Sequence, residues 1–325
     1  MKKVKKTKQL KTWPLYILFI VLFVIYIMVQ HYSGASIIVG SLLFLLIIII
    51  IVLEFMNGVH EAGYKKNIIE VAIAVLIVVC IWFGLEMLLR TGSPLNVVPS
   101  CSMLPTLHRG DLVVIEGVSS IKQLKAPVVN MTASQFAGLN SSMESEFLEC
   151  VAYKPTLQGY VISQFVGPGY SIGLYAPAIN RVIPLSMQNG IITYTCGERN
   201  VIFQNGTMLK EAYTTAITID GTTIVGDRNN SIIVYKTIPQ DSFYKEGDLY
   251  IVHRVYAIIN ASGNYYVLTK GDNNPGLDMQ YGNYPIPLKD VEGKVVGVIP
   301  YIGYLKLVMS NSFSQPYGCN FTTQH

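Results

Sequence analysis

Hydrophobic residues are concentrated at the start of the chain, in three long runs. They cover about residues 13–30, 37–56 and 67–89, and a helix needs about 20 apolar residues to cross the hydrocarbon core of a bilayer. Short polar connections separate the runs, and Asn57 to Lys66 forms the second connection. The pattern therefore predicts a transmembrane anchor over residues 1–90, with three transmembrane α-helices and a loop at the second connection.

After Arg90 the pattern of hydrophobic positions changes. Short runs rich in Val, Ile and Tyr alternate with clusters of Gly, Asn, Pro and Ser, and no long stretch repeats at 3.6 residues. Such a pattern is typical of a mostly β domain. The clearest predicted strands are Leu112–Glu116, Leu249–Asn260, Tyr265–Lys270 and Val291–Pro300.

The β-rich part divides into a core and an insertion. We predict a core built from residues 91–118 and 246–310, an inserted β-rich subdomain over 119–245, and a C-terminal tail over 311–325. The apolar stretch Val295 to Met309 is too short to span a membrane. The sequence favours two interpretations of this stretch equally. It is either a core strand followed by a tail or a segment that contacts the membrane surface.

The distribution of charge indicates how the chain is oriented. The 325 residues carry a net charge of +4, but nine Lys/Arg and four Glu fall before residue 91, so the larger region is near neutral and lacks the basic surface that nucleic-acid binding requires. Six lysines precede the first run, Lys65 and Lys66 lie in the second connection, and His31 to Ser36 has no basic residue of this kind. The positive-inside rule then predicts a multi-pass protein of the plasma membrane, with a cytoplasmic N-terminus and an extracytoplasmic domain. An alternative is that Lys2 to Ala35 is a cleaved signal peptide, which would leave two spans and the same placement.

Cysteines and glycosylation sequons agree with an external location. Cys80 lies in the third run, whereas four cysteines fall in the outer region, an even number that an oxidising compartment could pair. They are Cys101, Cys150, Cys196 and Cys319. The chain also has six N-x-[ST] sequons, all after residue 91, which favours an archaeal or eukaryotic source.

Candidate chemistry begins with a serine just beyond the third run. Ser102 lies in a segment with turn signals at Pro105 and Gly110, close to the predicted membrane surface. A serine hydroxyl needs an adjacent base to act as a nucleophile, and the base is usually oriented by a third group. The best candidate base is His253, because it lies in a predicted strand, whereas His108 shares the exposed turn after Ser102.

The neighbouring strand supplies candidate acids. If residues 260–264 form a hairpin turn, Ile259 faces Tyr265, and this register brings His253 opposite Gly271 and next to Asp272. Asp278 follows in the same loop, and either acid could be an ordinary turn residue. Register alone ranks Asp272 first.

Four motifs in order resemble the signal peptidase I family in its archaeal and endoplasmic-reticulum form. They are Ser-x-Ser-Met-x-Pro-Thr-Leu from Ser100 with Gly-Asp after it, Gly-Asp-x-x-x-Val-His-Arg-Val from Gly247, Thr-Lys-Gly-Asp-Asn-Asn from Thr269, and Gly-Lys-Val-Val-Gly-x-Ile-Pro-Tyr-Ile-Gly-Tyr from Gly293. The match covers about residues 98–118 and 246–307 and leaves the anchor and the insertion unmatched.

The resemblance implies a fold, an activity and roles for residues. It implies a signal-peptidase-type catalytic domain with Ser102 as nucleophile, His253 as general base in place of the lysine of the bacterial branch, Asp278 as essential acid and Asp272 as supporting acid. Ser100 is expected to assist at the oxyanion. The implied activity is removal of signal peptides from secretory preproteins after small residues of the A-x-A kind, with no cofactor or metal. Membrane lipid is an expected partner, and the protein-export translocon is a further candidate.

Two features depart from the family pattern. The interval of 151 residues between Ser102 and His253 is long, and three spans exceed the usual one or two.

Because Cys101 lies beside the nucleophile, we expect Cys150 and Cys196 to pair if any disulfide forms. A scaffold protein without activity would be expected to lack at least one of the site residues, and a self-cleaving repressor-like peptidase would need a soluble chain with a DNA-binding module.

Overall fold

The computed structural model describes residues 11–29, 33–141, 147–188, 190–309 and 318–323, and it begins with two helices. Helix α1 spans Trp13–Val29, and helix α2 spans Ser33–Leu89. The predicted loop at Asn57 to Lys66 does not interrupt the helix, because the backbone is helical through this stretch. No proline lies between Ser33 and Leu89, so nothing in the sequence removes a backbone donor from the helix.

Contacts at the two ends of α2 show that it is not straight. Near its start, Gly40 lies against the ring of Tyr26, whose hydroxyl donates a hydrogen bond to the carbonyl of Pro300. At its end, the carbonyl of Leu89 accepts a hydrogen bond from the N–H of Gly117. Pro300 and Gly117 flank one short pair of strands, so these contacts leave at most about 50 Å between Gly40 and Leu89, whereas a straight helix would rise about 74 Å.

Two segments of α2 are apolar and long enough to cross a membrane. Within the described residues these are Ile38–Asn57 and Ile68–Leu89, and the apolar part of α1, Trp13–Tyr26, is shorter. The polar stretch between the two segments contains Gly58 and Gly63, which are the residues of α2 that most readily permit a bend there.

The core of the β region is one mixed sheet. Among the described residues it has eight strands, which are β1 (Leu95–Val97), β2 (Leu112–Glu116), β3 (Val128–Met131), β11 (Ile232–Lys236), β12 (Tyr250–Ala261), β13 (Asn264–Lys270), β14 (Ile286–Pro287) and β15 (Val291–Ile299). The order is β1-β2-β15-β11-β12-β13-β14, and β3 runs parallel to the far part of β12. The four strands predicted from sequence all lie in this sheet.

The predicted limits of the insertion, 119–245, are too wide. Strand β11 lies between β15 and β12 in the middle of the core sheet, and β3 also pairs with β12. Ile233 and Val234 are fully buried in this position. The inserted part therefore falls between β3 and β11, and the core takes two more strands from the chain than the sequence indicated.

The insertion forms one four-stranded sheet and three strands of a second within the part of the chain that the structure describes. One contains β4 (Glu149–Thr156), β5 (Gly159–Ser163), β6 (Ser171–Ala176) and β7 (Arg181–Ile183) in the order β5-β4-β6-β7. The other contains β8 (Ile192–Phe203), β9 (Met208–Ile219), β10 (Thr222–Val225) and β16 (Phe321–Thr323) in the order β10-β9-β8-β16. The short helices α3 (Ala133–Ser141), α4 (Ser242–Glu246) and α5 (Tyr304–Met309) flank the sheets.

The C-terminal segment is not simply a tail. Phe321–Thr323 extends the sheet of the insertion by pairing with β8, and Cys319 forms a disulfide with Cys101. This disulfide was not predicted. The expected pair Cys150–Cys196 forms the second disulfide. The insertion is thus held on itself by one disulfide, and the end of the chain is tied to the segment that carries Ser102 by the other.

Candidate active site

The serine segment is fixed by burial on both sides of Ser102. Val98 before Ser102 is 2% exposed, Met103 and Leu107 after it are 0% and 1% exposed, and all three pack with Val113 and Val252 in one hydrophobic cluster. The Arg109 guanidinium donates a hydrogen bond back to the carbonyl of Pro99. Apolar positions on either side of the turn therefore hold Ser102, which is itself only partly buried, in a fixed place at the surface of the sheet.

Ser102, His253 and Asp278 form a continuous chain of hydrogen bonds. Ser102 Oγ lies 2.9 Å from His253 Nε2, and His253 Nδ1 lies 2.7 Å from Asp278 Oδ2. The imidazole and the carboxylate are both 3% exposed. The arrangement is that of a serine nucleophile, a base and an orienting acid, which is recognised by geometry rather than by order in the chain.

Asp278 lies at the start of a short 3₁₀ turn, Asp278–Tyr281, and its charge is stabilised from several sides. Besides His253, the hydroxyls of Thr269 and Tyr235 donate hydrogen bonds to Asp278 Oδ2. Burial raises the pKa of this carboxyl, but the imidazole and these hydrogen bonds outweigh burial and hold the pKa of Asp278 below its ordinary value. Asp278 is therefore suited to remain ionised and to hold one tautomer of His253.

Asp272 contacts a different partner. Arg254 Nε and Nη2 each lie 2.8 Å from a carboxylate oxygen of Asp272, and Thr106 donates to the same group. Burial raises the pKa of Asp272. The hydrogen bonds from Arg254 and Thr106 lower it by more, so the pKa lies below its ordinary value. The register-based ranking of Asp272 ahead of Asp278 beside the imidazole is wrong, because the loop after β13 brings Asp278 to His253 instead.

Other candidate residues take distinct positions. Ser100 Oγ lies 3.1 Å from Ser102 Oγ. His108 lies beside Asp111 and the ring of Tyr301. Burial lowers the pKa of Lys270 to about 7, but its ammonium donates to the carbonyl of Asn274, 2.6 Å away. The serine hydroxyl is therefore paired with His253, and not with the lysine of β13.

The loop after β13 packs directly on the serine segment. The N–H of Asn273 donates a hydrogen bond of 2.7 Å to the carbonyl of Ser102, and the Asn273 amide donates to the carbonyls of Cys101 and Phe321. A Cβ on Gly271 would lie only 2.7 Å from the Ser102 carbonyl. Glycine is thus required at 271 because the two backbones approach so closely.

Curated relatives match part of the chain. The catalytic subunit of the signal peptidase complex from Chaetomium globosum is 31% identical over 124 residues, which are 37% of this chain and 63% of the relative. The corresponding subunit of Tuber melanosporum is 30% identical over 125 residues with the same coverage. That of Verticillium alfalfae is 36% identical over 69 residues, or 20% of this chain and 40% of the relative.

The chain is a relative of the signal peptidase catalytic subunits. The predicted resemblance to the signal peptidase I family is confirmed in its eukaryotic form by these fungal subunits, and the archaeal form finds no support among them. No family model matches the chain. The chain spans about two fifths to under two thirds of the length of the curated signal peptidase subunits it matches.

Two residues at the site were not identified from the sequence. Tyr235 and Thr269 both contact Asp278, and strand alternation places them on the same face of the sheet as His253, since Tyr235 pairs with Ile251 and Thr269 with Val255. The predicted register of the hairpin with its turn at residues 260–264 contained the signal for Thr269, because it places Thr269 opposite Val255. Tyr235 had none, because its strand was assigned to the insertion.

Proposed function

We propose that this chain is a membrane-bound serine endopeptidase that removes signal peptides from secretory preproteins. The observation that carries the proposal is the hydrogen-bonded chain from Ser102 through His253 to Asp278. The relatedness to signal peptidase catalytic subunits supports the substrate class, because those proteins act within a complex named for that reaction.

The geometry supports attack by Ser102 on a peptide carbonyl. His253 Nε2 takes the hydroxyl proton as the carbon–oxygen bond forms and returns it to the leaving amine, while Asp278 stabilises the imidazolium. The Ser100 hydroxyl and the backbone N–H of Ser102 stabilise the oxyanion, and one such donor typically contributes about 3 kcal/mol. Water then attacks the acyl-enzyme with His253 as base, which releases the new C-terminus and restores the serine. Asp272 supports the site by holding Arg254.

Two strand edges next to the serine support binding of an extended substrate. Strand β1 is the outer strand of its sheet and precedes the serine segment. Pairing of β12 with β13 begins only at Arg254, so Tyr250 to Val252 lack a strand partner on that side among the described residues. A peptide that adds a strand here would present alternate side chains to shallow pockets. Small residues of the A-x-A kind before the cut fit such pockets.

The helices and one exposed apolar surface support placement at a membrane. The hydroxyl of Tyr26, near the C-terminal end of α1, is bound to Pro300 of the β domain, and Val296, Val298 and Ile302 nearby are 50%, 42% and 42% exposed. An apolar surface of this kind suits contact with lipid. We propose three crossings, made by α1 and the two apolar segments of a bent α2, with the N-terminus in the cytoplasm and the domain outside.

The segment Val295 to Met309 lies beside the proposed membrane surface. Of the two interpretations left open for Val295 to Met309, the exposed side chains favour membrane contact by a strand that is also part of the core sheet. The plasma membrane with its translocon is the proposed site of action. The relatives' name describes a complex, and we extend to this chain the proposal that it acts with partner subunits.

Cleavage specificity provides the test. Full-length chain purified in detergent should cut a preprotein after an A-x-A site, with the product N-terminus identified by mass spectrometry. Replacing the alanine before the cut by tryptophan should abolish cleavage, because the proposed pockets accept only small side chains. Equal cleavage of both substrates would overturn the proposed specificity, and no cleavage of either would overturn the proposed activity.

A further inference from the structure

A cavity of about 460 Å³ lies between the insertion and the catalytic loop. We call it the insertion pocket, and its walls include Glu149, Val151, Gln164, Tyr175, Phe243 and Pro275. The first four residues belong to the sheet of β4 to β7 or follow it closely, and Pro275 belongs to the loop that carries Asp278. The pocket therefore exists only because this chain has the insertion.

The insertion pocket opens close to the reacting serine. The ring of Phe243 lies 6.1 Å from the ring of His253 and meets it edge to face. Asn274, another wall residue, donates its N–H to the carbonyl of Gly271, whose backbone approaches Ser102. Phe243 is thus no more than about 10 Å from the serine hydroxyl, a distance that about three residues of extended chain cover.

Glu149 gives the pocket its chemical character. It is the one lining residue with an ionisable carboxyl, and no described residue forms an ion pair or a hydrogen bond with its side chain. Glu149 is half-buried, and burial raises the pKa of this carboxyl, as expected for a charge partly removed from water. The aromatic rings of Tyr175 and Phe243 line the same space.

These features match the side chain of lysine or arginine. The ammonium or guanidinium group would supply a positive partner for the Glu149 carboxylate, and the aliphatic stem would lie along the aromatic and apolar walls. We propose that the insertion pocket is a substrate subsite that selects a basic side chain within about three residues of the scissile bond. The inference rests on the proposed signal peptidase activity, and it makes the insertion a determinant of which preproteins are cut.

A peptide series tests the subsite. Signal-peptide substrates with an A-x-A site would carry lysine or uncharged norleucine at each position from three before to three after the cut. With the full-length chain in detergent, we expect lysine at one position to raise kcat/KM about tenfold over norleucine. Glu149→Gln should reduce this ratio to about one.

The control is Glu198→Gln, which removes a carboxylate of the same insertion at a surface ion pair with Lys210, and it should keep the lysine preference. The proposal is overturned if the wild-type chain shows no lysine preference at any position, or if Glu149→Gln retains one. Lack of cleavage of every peptide would instead refute the proposed function. The subsite would then be tested by peptide binding to Ser102→Ala, where equal affinity for lysine and norleucine peptides would refute it.

Discussion

Asp278 Oδ2 lies 2.7 Å from His253 Nδ1, and this contact separates the roles of two acids that stand six positions apart in one loop. Asp272 instead forms a bidentate ion pair with Arg254. The same loop therefore carries one carboxylate that contacts the imidazole of His253 and another that forms an ion pair with Arg254 on β12. Replacing each acid should have a different consequence.

Asp278→Asn should lower kcat about 10⁴-fold, because an amide at this position favours the tautomer of His253 that cannot accept the serine proton. The fold should persist, since the change conserves size. Processing rates for a preprotein with the full-length chain would measure the effect. The matched variant Asp272→Asn should lose much less activity, and an equal loss in both variants would contradict the separate roles.

Stability at acid pH should depend on Asp272. Its folded pKa is depressed, so its contribution is present above the unfolded value of about 3.9 and is lost as pH falls through the folded value. Asp272→Asn should cost about 3 kcal/mol near neutral pH, because Arg254 remains buried without its partner. Its unfolding free energy should then fall less steeply than that of wild type below about pH 4.

Urea unfolding of the detergent-solubilised chain at several pH values would measure both effects. Asp248→Asn, at an exposed aspartate, serves as the control and should follow the wild-type curve. Parallel pH curves for Asp272→Asn and wild type would show that the ion pair does not contribute as described.

The sequence predicted the strand that carries His253 and its neighbour, but not the details of their register. Asn260, and not Ile259, pairs with Tyr265 at the turn, and a bulge between Val255 and Ala257 then restores the predicted alignment of Arg254 with Lys270. The shift of one residue at the turn and the bulge cancel each other. Lys270 therefore pairs with Arg254, and Gly271 follows it, as the predicted register required. A bulge of this kind depends on packing against other strands and has no local signal in the sequence.

The limits of the domains depended on long-range pairing. Strand β11 is only five residues long and is separated from β2 by more than a hundred positions, so its place between β15 and β12 could not be read from local pattern. The disulfide of Cys101 with Cys319 joins residues 218 positions apart. Only the pair within the insertion, Cys150 and Cys196, was accessible from proximity in the chain.

Labelling of single cysteines would test the proposed membrane topology. In a Cys80→Ala background, Leu157→Cys, at a fully exposed position of β-rich sequence, should react with an impermeant maleimide in right-side-out vesicles. Lys65→Cys should react only after permeabilisation, because the bend of α2 lies at the cytoplasmic side in the proposed arrangement. Labelling of both before permeabilisation would contradict three crossings with the domain outside.

The most direct test of the central claim compares preprotein processing by wild type, Ser102→Ala, His253→Ala and His108→Ala in one membrane preparation. Ser102→Ala and His253→Ala should each abolish or nearly abolish processing, and to similar extents, because residues of one catalytic unit do not contribute additively. His108→Ala should retain most activity, since His108 lies beside Asp111 and Tyr301. Processing at the wild-type rate by Ser102→Ala, or by His253→Ala when His108→Ala is inactive, would contradict the account.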